Sequence, residues 1–192
     1  MNRIQRTSMF FRVLFQIVFV VMPVLFVYSW VAWANSLESI YMMNGVIHFS
    51  FVPQAYMATA EHGTHILHTL SATEKLLAGC INAVPLAVNL FIFYSLVKLF
   101  KLYEQGEIFA MANVRYIRNI GYALLVGQLI DPFYQAAMGL VLTIHNPPGH
   151  GFVAVGLDQT NIETIITALM VILISWIMTE GCKLREDQQL TV

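Results

Sequence analysis

Apolar residues in this chain neither alternate in the manner of strands nor keep to one side of a helix; they gather into four runs, at about residues 13–34, 76–100, 120–144 and 162–178. A helix rises 1.5 Å per residue, so roughly 20 apolar residues cross about 30 Å of hydrocarbon. A helix that is apolar on every side needs lipid or protein all around it. The pattern therefore predicts four transmembrane helices. Their ends carry signals of their own. Ser71-Ala72-Thr73-Glu74 and Thr160-Asn161-Ile162-Glu163 both fit a capping box, in which a hydroxyl and a carboxylate satisfy the backbone N–H groups left open at a helix start. Gly106 can take the positive φ that ends the second helix. Pro23, Pro85 and Pro132 fall inside three of the four runs, where each removes a backbone bond and favours a kink.

The segments between the runs differ in character. Residues 35–70 are too long for a plain connector. Asn44-Gly45, set between Ile40-Tyr41-Met42 and the alternating Ile47-His48-Phe49-Ser50-Phe51, predicts a hairpin that Pro53 ends. Residues 54–70 then predict a short interfacial helix, weakened at Gly63. In the other outer loop, residues 145–160, Asn146-Pro147-Pro148-Gly149 is a turn and residues 152–155 could add a strand to the same cap. The expected architecture is an all-α integral membrane protein, a four-helix transmembrane bundle with a small extracytoplasmic cap of hairpin and interfacial helix. It forms a single membrane domain over residues 1–192.

Composition agrees: 58% of residues are hydrophobic, 11% are charged and the mean hydropathy is +0.67. The distribution of charge orients the chain. Nine of the ten Lys and Arg residues, namely Arg3, Arg6, Arg12, Lys98, Lys101, Arg115, Arg118, Lys183 and Arg185, fall on one side of the four runs, and Lys75 alone falls on the other. The positive-inside rule then places both termini, the loop 101–119 and the tail 180–192 in the cytoplasm. The first run continues past the length of a signal-peptide core and no A-x-A-like cleavage site follows, so it is expected to be a retained anchor. A net charge of −1 gives no footprint for direct nucleic-acid binding. Cys80 and Cys182 fall at opposite membrane faces and are not expected to form a disulfide.

Few residues within the runs could carry chemistry. Asp131 lies near the middle of the third, beside Gln128 and Pro132; Asn89 lies at similar depth in the second, and Asn82 and Gln16 are further possible partners. A carboxyl there must be protonated, hydrogen-bonded or hydrated, and the cluster reads either as interhelical glue or as a proton, ion or ligand site. All six histidines, His48, His62, His65, His68, His145 and His150, fall in the outer loops. A transmembrane haem b is thereby disfavoured, since it needs imidazoles on facing spans. The outer histidines could instead hold Cu or Zn, with His62, His65 and His68 along a short helix and Met42, Met43 and Met57 nearby. They could also make the outer face sensitive to acidity. Three-residue spacing rotates a helix by about 300°, so the trio drifts around the axis and interfacial rings are the alternative. No phosphate loop, nucleophile elbow or catalytic carboxylate pair is present, which disfavours an enzyme.

The segment beyond the second run has a distinctive text: Leu99-Phe100-Lys101-Leu102-Tyr103, Gly106-Glu107-Ile108-Phe109, then Asn113-Val114-Arg115-Tyr116-Ile117-Arg118-Asn119-Ile120-Gly121. The C-terminus adds Glu180-Gly181, Leu184-Arg185-Glu186 and Leu190-Thr191-Val192. Together these resemble the bacterial four-span membrane family catalogued as domain of unknown function 2975. The resemblance implies a bacterial inner-membrane protein, often encoded beside a small helix-turn-helix regulator, and it carries no established activity. Where the family is expected to place a capping Thr, this chain has Ala110, which costs on the order of 1 kcal/mol of local helix stability. Arg115 and Arg118 lie one turn apart; they either face lipid phosphates or form a docking surface with Glu180, Glu186 or Asp187 of the tail. The functional expectation is a non-enzymatic sensory, regulatory or accessory subunit that binds a protein partner. The alternatives are a copper- or zinc-binding accessory protein and a small proton-coupled transporter. The oligomeric state is open.

Overall fold

The computed structural model describes residues 3–35, 71–107, 110–149, 151, 153, 156 and 159–190. These form four helices and, among the described residues, no strand: α1 (Arg3–Asn35), α2 (Ala72–Glu104), α3 (Met111–Thr143) and α4 (Gln159–Leu190). Each is long and apolar enough to cross a membrane, over Ile4–Tyr28, Ala72–Glu104, Met111–Thr143 and Asn161–Arg185. Over the described residues the fold is all-helical, and its four spans make the protein a multi-pass membrane chain. The expected hairpin, the interfacial helix and His48, His62, His65, His68 and His150 lie outside the described residues, as does the expected strand at 152–155 except for Val153.

All four helices run beyond the apolar windows that predict them. Hydropathy marks the lipid-immersed part, whereas backbone hydrogen bonding continues as long as the polar ends can be satisfied. At the start of α2, the Ser71 N–H donates to Glu74 Oε2 (2.6 Å) and the Glu74 N–H donates to Ser71 Oγ (3.3 Å), which completes the capping box. At its end, Gly106 has φ 87°. There the Glu107 N–H donates to the Leu102 carbonyl and the Gly106 N–H to the Tyr103 carbonyl, both at 3.1 Å. This is a Schellman closure. Ala110 sits at the start of α3, where its carbonyl accepts from the Asn113 N–H at 2.9 Å. The Asn113 side chain, fully buried, donates back to the Glu107 carbonyl and ties the loop to the first turn in place of a capping hydroxyl. The second expected capping box is corrected: α4 already includes Gln159, so Thr160 lies within the helix, and the Glu163 carboxylate accepts from Gln159 Nε2 (2.9 Å). Residues 180–190 likewise continue α4 as helix.

The helices pack as two compact units. The first comprises Met1–Val21, Val88–Gln128 and Asp158–Val192. Its α1 and α2 segments meet through aromatic rings, Phe11 on Phe100 (5.4 Å between centroids) and Phe15 on Phe100 (5.5 Å) and Phe93 (6.1 Å). Its α3 and α4 segments meet where Gly121 leaves no room for a side chain beside Ala168 and Ile172. Apolar lipid tails offer helices no hydrophobic reason to associate, so close packing of small residues has to supply the attraction. Ser95 and Ser175, both fully buried, return their hydroxyls to the carbonyls of Phe91 (2.9 Å) and Ile172 (2.7 Å). That removes unsatisfied polar atoms from the interior.

The second unit comprises Met22–Ala87 and Leu129–Leu157. Buried positions on its α2 segment recur every fourth residue, Glu74, Ala78 and Asn82, and the α3 segment answers with Tyr134, Met138 and Leu142. The Tyr134 hydroxyl donates to Asn82 Oδ1 (2.9 Å) at one end of this seam. Intramembrane side-chain bonds of this kind contribute about 0.6–1.7 kcal/mol. Tyr134→Phe, which keeps the ring, is therefore expected to lower the thermal midpoint in mild detergent by a loss of about 1 kcal/mol. An unchanged midpoint would show that the bond adds nothing to the seam.

Candidate functional site

Charged side chains that could carry a function lie near the ends of the helices. At the end where α2 starts and α3 stops, Glu74 is 4% exposed because the first turn of α2 packs against α3. Its second carboxylate oxygen, Oε1, lies 2.5 Å from His145 Nδ1, while the imidazole side chain is 68% exposed. One carboxylate thus caps α2 and holds His145, the second residue beyond α3. Beyond α3 the Asn146 N–H donates to the Thr143 carbonyl (3.1 Å), and Gly149, the last residue of the expected Asn146–Gly149 turn, has φ 93°. Glu74 and His145 are each legible as polar residues at this end, but their pairing requires knowing that α2 and α3 are neighbours. Among the described residues no group of three His, Cys, Asp or Glu side chains could hold a metal ion. His62, His65 and His68 are outside that set.

The opposite end is basic. Arg12 Nη1 lies 2.8 Å from Glu104 Oε2, and both side chains are about a quarter exposed, at 26%. The sequence expectations do not include this pair between α1 and α2, although both residues stand at the edge of their apolar runs. Lys183 is paired with Glu180 on its own helix (2.8 Å), and Lys98 lies over the Tyr94 ring at 5.4 Å. Arg115 is exposed and Arg118 half-buried, and neither forms an ion pair with a described residue. The expected pairing of these arginines with Glu180 is replaced by the shorter-range Glu180–Lys183 contact, one turn apart on α4. Asp187 is exposed on the continuing helix, and the Glu186 side chain is outside the described set.

Between the ends, the expected intramembrane polar residues take separate roles. Asp131 Oδ2 accepts from Gln135 Nε2 (2.6 Å), one turn along the same helix. Asn82 engages Tyr134, and Asn89 is exposed. Gln128 Oε1 is buried without a hydrogen-bond partner among the described residues. Cys80 is exposed, Cys182 is buried and both are free thiols, as their spacing predicts.

Comparison with known proteins adds one finding. No curated protein and no solved structure matches the chain. The model of one family, described as protein of unknown function (DUF2975), does match, over residues 55–192, which is more than half of the sequence. That stretch holds α2, α3 and α4 together with the loop text around Gly106 and Asn113, and the chain belongs to this family.

Proposed function

We propose that this protein is a non-enzymatic bacterial inner-membrane subunit that conveys conditions at its outer, histidine-bearing end to a protein partner bound at its inner, basic end. The observation that carries the reading is the course of α4. The helix continues to Leu190, about 18 Å along its axis beyond the run 162–178 read from the sequence and about 8 Å beyond the spanning stretch Asn161–Arg185. It carries Glu180, Glu186 and Asp187, and Leu184 is 62% exposed among them. An exposed leucine flanked by charges on a rigid helix is the kind of surface a partner covers. The resemblance suggests a small helix-turn-helix regulator as that partner. At the outer end, the solvent-exposed imidazole of His145 held by the buried Glu74 gives a point where conditions outside reach the helix packing.

Removing residues 180–192 should abolish partner capture from native membranes while leaving insertion and detergent-extracted yield unchanged. A photo-crosslinker at Leu184 should capture the same protein. Undiminished capture by the shortened chain would remove this surface from consideration. A chain that fails to insert is separated from that outcome by the Leu184 crosslink in the full-length protein.

A further inference from the structure

The arginines of α3 carry an inference of their own. With 100° of rotation per residue, Met111, Arg115, Arg118, Tyr122, Val126, Leu129, Phe133 and Leu140 fall within an arc of about 80° on α3. Every apolar member of this stripe is exposed, Phe133 most of all at 76%. Asn113, Tyr134, Met138 and Leu142, all buried, lie on the opposite side. In a helix this apolar, the exposed stripe is the face turned to lipid. From Tyr122 to Leu140 it runs about 27 Å, close to the thickness of the hydrocarbon layer. Arg118 follows about 6 Å beyond Tyr122 and Arg115 about 10 Å beyond, within the layer of head groups. The two cations therefore extend the lipid-facing stripe at the depth where phosphates stand.

Three cations at this end are engaged within the protein, Arg12 by Glu104, Lys183 by Glu180 and Lys98 by the Tyr94 ring, whereas the exposed Lys101 forms no ion pair with a described residue. Arg115 and Arg118 have no such carboxylate among the described residues. Guanidinium groups one turn apart present donor forks that match phosphate oxygens, which an ammonium matches less well. We infer that Arg115 and Arg118 form a binding site for the phosphate of an anionic phospholipid. Position on the lipid-facing stripe favours this ligand over the carboxylates of a protein partner. The inference is independent of the partner surface on α4, since the shortened chain keeps both arginines.

Native mass spectrometry of the full chain in mild detergent provides the test, with phosphatidylglycerol and phosphatidylcholine of identical acyl chains as probes. The protein should retain phosphatidylglycerol preferentially. Arg115→Gln with Arg118→Gln should reduce that preference by on the order of tenfold, as expected for two cations acting at the membrane surface. Lys101→Gln, which removes an exposed cation on α2 outside the pair, should change it by clearly less than the double variant does, and by no more than about fivefold, the effect of one surface cation. If the double variant is poorly made, Arg115→Lys answers the same question, because it keeps the charge and should still weaken retention. Equal effects of Lys101→Gln and the double variant would overturn the inference, since they would reveal only diffuse attraction. Displacement of the lipid by millimolar inorganic phosphate, or by an acidic peptide at equal charge, would also overturn it in favour of a soluble anion or a protein ligand.

Discussion

Gly121→Val should disrupt the junction of α3 and α4 and lower the stability of the protein by roughly 3 kcal/mol or more. A Cβ at this position would stand 2.7 Å from Ile172 Cγ1 and 3.2 Å from both the Ala168 carbonyl oxygen and the Ile172 nitrogen. Two of these three atoms are backbone, so rotation of a side chain cannot relieve the clash, and the helices have to separate. Two effects oppose each other in the smaller change, Gly121→Ala. Alanine gains about 1 kcal/mol of helix propensity. Overpacking at a closed contact costs about 1–3 kcal/mol. The backbone clash decides the sign, and Gly121→Ala should be destabilising by about 1 kcal/mol net. Thermal unfolding in mild detergent, followed by circular dichroism, provides the measurement. Ile172→Ala in the Gly121→Ala background should recover part of the loss, because it removes the nearest atom but not the backbone contacts. A Gly121→Ala protein as stable as the parent would mean that propensity prevails and that the crossing has slack.

Gly121 also shows what a sequence discloses about such a fold. It belongs to the text by which the family is recognisable, yet nothing local states that α4 passes over it. The four spans are legible because lipid imposes the requirement residue by residue: a polar side chain in the wrong place costs energy whatever its neighbours are. The Ser71–Glu74 box and the closure at Gly106 are legible for the same reason, since each is settled within one turn of chain. Thr160 misleads because the same hydroxyl-to-carboxylate spacing also occurs inside a helix, and α4 begins earlier. Contacts between helices need a further premise. Asn82 and Tyr134, Glu74 and His145, and Val88 and Gly127 stand at nearly equal distances along the chain from the short loop joining α2 to α3. An antiparallel pair with a tight connection brings such positions to one level. That rule, applied to residue numbers alone, pairs the capping carboxylate with the histidine and turns attention from Asn89 to Asn82. For Arg12 and Glu104 the corresponding clue is depth: opposite charges end two apolar runs on one side of the membrane.

Charge placement accounts for the remaining departure. Arg115 and Arg118 are open to a tail bearing Glu180 and Asp187 only so long as that tail is free to fold back. In the structure it is helix, and a carboxylate on a helix finds its partner three residues away at less entropic cost than across a loop. At the basic end Arg12, Lys98 and Lys183 are thus engaged within the protein, while Arg115, exposed, and Arg118, half-buried, form no ion pair with a described residue.

Glu74→Ala should unfasten the opposite end and cost about 2–3 kcal/mol. The carboxylate serves two partners at once. Loss of a capping residue accounts for about 1 kcal/mol, and a hydrogen bond to an ionised group for about 1.5–3 kcal/mol. His145→Ala removes only the second contact, but it leaves Glu74, 4% exposed, with one donor fewer. The two single losses should therefore not add. In a double-mutant cycle the Glu74–His145 coupling should be about 1 kcal/mol or more, whereas distant sites couple by less than about 0.5 kcal/mol. Hydrogen exchange resolves the two roles. Glu74→Ala should expose the amides of the first turn of α2 and loosen the end of α3, while His145→Ala should loosen α3 and leave the capping box of α2 closed. If both variants open both helices equally, the carboxylate acts through general packing. If neither opens either helix, the 2.5 Å contact contributes nothing to holding these ends together, and the exposed imidazole has no route to the seam between α2 and α3.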